Sequence, residues 1–133
     1  MKQMSRREAR IKAYELIFMM DMCDSMDFEL DRLEAELAAH KKHMKYIRAV
    51  VDAAVENKTE IDKMIEESLG AGWSLSRLSK MSLAALRLAV SEIKYLDEIP
   101  EGVSINEAVE IAKLYCEDNE PAFINGVLGV IVK

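Results

Sequence analysis

Cysteine, proline and glycine are scarce in this chain of 133 residues, which has two, two and five of them. Cys23 and Cys116 stand far apart, and no C-x-x-C spacing occurs. That excludes a disulfide framework and a cysteine-rich zinc site, and it points to a reducing, cytoplasmic setting. With so few helix breakers, long helices run uninterrupted. No apolar run approaches the ~18 residues of a membrane span, and the front of the chain is charged at once, unlike a secretory leader. The glycines lack the spacing of a dinucleotide fingerprint or a P-loop, and there is no nucleophile elbow. The pattern therefore calls for no cofactor, no resident metal and no enzymatic chemistry.

What is present is apolar content and charge. Half of the residues are hydrophobic and about a third are charged, with a net charge of −6. This length builds one core, so residues 1–133 are expected to form a single compact, all-α domain. Charge is unevenly divided. Lys2, Arg6, Arg7, Arg10 and Lys12 face only Glu8 and Glu15 among the first fifteen residues, a local balance of +3 in an acidic chain. Such a molecule repels a polyanion everywhere except at one end.

Helical periodicity recurs along the chain. Ala9, Ala13, Leu16, Ile17 and Met20 define a first helix over 5–22, and Ser5 with Glu8 forms a capping-box pattern at its start. After a break at 24–27, Phe28, Leu30, Leu33 and Leu37 mark an acidic second helix to about His40. Met44, Ile47, Val51 and Ala54 mark a third, and Ile61, Met64 and Ile65 a fourth. Gly70 reads as a helix stop and Ser74 as a restart. The run 83–90 is apolar almost all round, broken only by Arg87, as in a helix surrounded by others. Residues 80–96 are the expected central helix. A second capping-box pattern, Ser104 to Glu107, precedes Ala108, Ile111, Ala112 and Tyr115. The last helix follows Asn119 and Glu120, with Pro121 in its first turn. Gly126 and Gly129 inside it suggest close backbone packing or a functional surface.

Chemistry-bearing clusters are few. His40 and His43 stand three apart but lack a third ligand, so "HKKH" reads as a solvated helix start rather than a metal site. The arginines differ, because cations in a first helical turn oppose the macrodipole at about 0.3–1 kcal/mol each. Arg6 and Arg10 share a face, and Arg7 lies about 100° from Arg6, near the line through Ile11 to Phe18. Guanidinium groups beside an aromatic ring suit single-stranded RNA. The same pattern also fits arginines paired locally with Glu8 and Phe18 packed into the core.

Three stretches narrow the choice. "SINEAVEIAKLYCEDNEPAFINGVLGVI" (104–131) resembles the signature segment of the NusB family of bacterial transcription antitermination factors. "WSLSRLSKMSLAALRLAVSEI" (73–93) resembles that family's central-helix segment, and "SRREARIKAYELIF" (5–18) its arginine-rich first helix. The resemblance implies about seven helices in two packed bundles, without catalysis or cofactor. It implies binding of boxA-type single-stranded RNA together with NusE, a ribosomal small-subunit protein, so that RNA polymerase reads through terminators in ribosomal RNA operons. Carried over by position, Arg6, Arg7 and Arg10 match the RNA-contacting block, Phe18 stands where a tyrosine is usual, and Asn119 and Phe123 fall in the second RNA-contacting segment. Asn106 and Glu107 match family hallmarks and read as structural, Glu107 as a cap.

Glu8 interrupts a run that is often denser in arginine, Phe18 lacks a hydroxyl, and Ala122 stands where a lysine is common. These departures imply weaker RNA binding alone and greater reliance on NusE. The alternative is a NusB-like protein-interaction module without independent RNA binding, or a domain of the kind appended to RNA methyltransferases. The second form is disfavoured, since no methyltransferase domain is expected after residue 133 and no Gly-rich cofactor loop is present. The apolar content leaves surface for a partner or for a homodimer of the free protein.

Overall fold

Ser5 starts the first helix as its spacing predicts. Its Oγ accepts from the Glu8 N–H at 3.0 Å, and the Ser5 N–H donates to the Glu8 carboxylate at 2.9 Å. The computed structural model describes residues 3–133; Met1 and Lys2 lie outside that range. Seven α-helices and no strand occur among the described residues. They are α1 (Arg6–Met19), α2 (Asp27–Glu36), α3 (Lys41–Glu56), α4 (Lys58–Glu67), α5 (Lys80–Tyr95), α6 (Glu101–Tyr115) and α7 (Glu120–Ile131). None is long and apolar enough to cross a membrane.

The apolar stripe that runs round α5 is buried by neighbours on all sides. One side of α5 meets α1 and α3, which also pack on each other; the other meets α6 and α7, which do the same. α4 reaches α5 and α7, and α2 lies on α3. The two groups of helices thus share α5 and a continuous core that includes Ile17, Ile47, Leu86, Leu88, Ile111 and Leu128. Each such side chain contributes roughly 1.5–3 kcal/mol on burial. Arg87, the one charge in the α5 run, is 5% exposed. Its fork holds both Asp62 oxygens at 2.9 Å, and its Nη1 holds Asp21 at 2.9 Å. A buried charge held by two carboxylates is what lets a polar residue sit in a central helix.

Several expectations change. α2 stops at Glu36, and Phe28 is exposed while Met26, Leu30 and Leu33 carry the buried face. The left-handed backbone in the α4–α5 connection belongs to Gly72 (φ 85°), not Gly70. Ser74 begins only a short 3₁₀ turn; Ser79 caps α5 by accepting from the Ser82 N–H. Gly126 and Gly129 have open space where a side chain would stand, so close packing does not explain them. The predicted second capping box does not form, because α6 begins four residues earlier, after Pro100. Ser104 and Glu107 lie inside that helix and point elsewhere.

Candidate nucleic-acid interface

The arginine block is built on a buried ionic lock. Arg10 is 3% exposed. Its Nε and Nη2 donate to the two oxygens of Glu92 on α5 at 2.6 and 3.2 Å, and its Nη1 reaches Glu107 on α6 at 3.3 Å. Glu92 is itself buried and also accepts from Tyr46 of α3 and from Ser104 of α6. One carboxylate thereby joins α1, α3, α5 and α6. Burial, and then the facing Glu92 charge, push the Tyr46 hydroxyl far above its ordinary range, so it stays a donor. Arg10 therefore holds α1 in place instead of offering its charge to solvent, which corrects its expected role as an RNA contact.

Arg7 lies on the side of α1 that faces α6. It donates from Nε and Nη2 to the two oxygens of Glu107 at 3.1 and 2.6 Å, while its side chain stays about half exposed and Nη1 has no partner among the described residues. Hydrogen bonds from Arg7 hold the Glu107 carboxyl below its usual range, aided by the Arg10 charge and opposed by partial burial. Glu107 is thus structural, as expected, but as an ion-pair acceptor and not as a helix cap.

Arg6 is different again. Its guanidinium stacks over the Tyr46 ring at 4.4 Å and takes no carboxylate among the described residues. Five of the seven arginines (Arg7, Arg10, Arg32, Arg48 and Arg87) hold carboxylates. The two that do not, Arg6 and Arg77, both lie over aromatic rings, Arg77 at 5.0 Å from the centre of Trp73. Stacking fixes a guanidinium without cancelling its charge.

The other expected residues gather about the start of α5. Phe18 is half-buried and borders a small cleft with Lys80 and Leu83. Asn119 precedes α7 and makes no side-chain capping bond; with Phe123, Trp73, Arg77 and Ser82 it lines a second cleft of about 190 Å³. The Trp73 and Phe123 rings stand 5.5 Å apart. Arg7 and Phe18 are eleven residues apart on α1, about 17 Å at 1.5 Å per residue. Between them the Tyr14 and Tyr115 rings lie 5.3 Å apart across α1 and α6. Trp73, Arg77 and Tyr115 escaped the sequence reading as site residues. The exposed lone tryptophan beside an arginine is the signal that would have found them. His43 donates from Nε2 to the Met4 carbonyl at 2.9 Å, which anchors the chain ahead of α1 and leaves Nδ1 buried without a partner.

Guanidinium groups and aromatic faces thus lie on helices that are locked together beneath them. Comparison with known proteins identifies the family. The NusB family model matches residues 7–133, and the chain belongs to that family. It is 42% identical over 128 residues to the transcription antitermination protein NusB of Listeria monocytogenes serotype 4a (strain HCC23), covering 96% of each chain. Among solved structures, T. maritima NusB superposes with a TM-score of 0.78 at 34% identity, covering 98% of this chain and 92% of that one. A structure of the antitermination factors NusB and NusE in complex with dsRNA gives 0.80 at 31%, covering 95% and 94%.

Proposed function

We propose that the protein is a transcription antitermination factor that binds boxA-type RNA together with NusE and helps RNA polymerase read through terminators in ribosomal RNA operons. It works by binding, without catalysis or cofactor, as one domain in the cytoplasm. The observation that carries this reading is the whole-chain kinship to NusB proteins, one of them solved with NusE and RNA. The surface supports it in physical terms. Arg6 and Arg7 supply phosphate contacts, Phe18 and Phe123 supply faces for bases, and Asn119 supplies a hydrogen-bonding amide. Arg10 acts through position by fixing the helix that carries its neighbours.

One observation favours a second reading, an interaction module that needs NusE to hold RNA. Two arginines of the block are already engaged by Glu92 and Glu107, which leaves Arg6 as its uncancelled charge. Titration of a labelled boxA-like RNA with the protein, with and without NusE, separates the two. Binding by the protein alone, tightened by NusE, is the expected result. RNA binding only in the presence of NusE supports the interaction module, and no RNA binding under either condition overturns both readings.

A further inference from the structure

The most basic stretch of the chain is not its front. Residues 37–51 contain Lys41, Lys42, Lys45 and Arg48 and no carboxylate. Arg48 is engaged by Glu34 and Asp31, at 2.7 and 3.0 Å. Lys42 and Lys45 pair with no carboxylate among the described residues, and both line a groove of about 470 Å³ between α1, α3 and the α5–α6 turn. Arg6, stacked on Tyr46, borders the same groove, and Ile99, Pro100 and Val103 line it as well. Among the described residues, Glu98 is the only carboxylate lining it.

We propose that this groove is a second RNA subsite, in which Arg6, Lys42 and Lys45 hold backbone phosphates while a base lies against Ile99, Pro100 and Val103. The assignment rests on the RNA-binding reading above and extends the path of the strand past the arginine block. Three like charges converge on one groove in a chain with 24 acidic residues, where most arginines have recruited a carboxylate. A bound anion eases their mutual repulsion. Apolar side chains in the same groove as those cations suit a nucleotide, whose phosphate and base make the two demands together. Arg6 faces this groove and Arg7 faces α6, so adjacent residues of α1 connect the two parts of the path.

The test uses the whole protein with two single-stranded RNAs, a boxA-like core and the same core lengthened by uridines at each end to about 15 nucleotides. Lys42→Gln/Lys45→Gln is expected to leave binding of the core unchanged. It is expected to weaken the long RNA about tenfold and to lower its salt slope by about 1.4, two contacts at ~0.7 each. A 4-thiouridine in the extension is expected to crosslink within residues 42–49 or 99–103. If the lysine variant binds the long RNA as the wild type does, while Arg7→Gln weakens both RNAs, the groove is off the RNA path and the broader reading survives. If wild-type protein binds neither RNA, alone or with NusE, that broader reading fails and this one with it. Loss of binding to a glutamate-rich peptide, with RNA binding intact, would overturn the proposal in favour of a protein partner.

Discussion

Helices α1 and α3 both open with cations, and the two runs are used in opposite ways. In α1, Arg7 and Arg10 turn toward Glu107 and Glu92 from distant parts of the chain and tie four helices together. In α3, Lys42 and Lys45 pair with no carboxylate among the described residues and line an open groove. Counting positive charge along the sequence marks both runs as basic and does not tell their uses apart. Burial separates them: a guanidinium taken out of water must find carboxylates, while an ammonium left in water need not. The lesson is that a basic motif divides into cations that build the surface and cations that present it.

That division breaks first at Glu92. Replacing it with leucine strands Arg10 in the core, and urea unfolding should show a loss of about 3–5 kcal/mol. Lys42→Gln/Lys45→Gln should move the same curve by less than about 0.5 kcal/mol. Comparable losses from both variants would erase the distinction. A smaller effect is expected at Ser5, where alanine removes the cap that starts α1 and should cost about 1 kcal/mol in thermal or urea unfolding. The smallest concerns Glu107. Its folded carboxyl titrates below the unfolded one, so the stability it adds is complete above the ordinary carboxylate range and disappears as pH falls through the lowered value. Unfolding curves collected down the acid limb should therefore fall less steeply for Glu107→Gln than for the wild type. Parallel limbs would mean that the Arg7–Glu107 pair is too solvated to matter.

The helices themselves were legible because their signals are local. The Ser5–Glu8 box, Pro121 in the first turn of α7 and the all-round apolar run of α5 each act within a few residues. What failed was non-local. Arg10 meets Glu92 from 82 residues away, and no spacing rule within α1 announces that partner. Ser104 and Glu107 matched a capping pattern, yet Pro100 had already begun the helix, which freed both side chains to join the ionic lock. Of the expected site residues, Arg6 and Arg7 emerge at the surface of α1, whereas Asn119 and Phe123 join Trp73 and Arg77 only because α7 folds back beside the start of α5. Lys41 and Lys42 stand inside the "HKKH" pattern and Lys45 just beyond it, and nothing in the sequence shows that Arg6 and Tyr46 border the same groove.

The salt dependence of boxA-like RNA binding, compared between the wild type and Arg6→Gln/Arg7→Gln, tests the central claim most directly. If the surface cations of α1 hold phosphates, log affinity falls with log salt, and the double variant shows a slope shallower by about 1.4. An identical slope in both proteins would contradict the account.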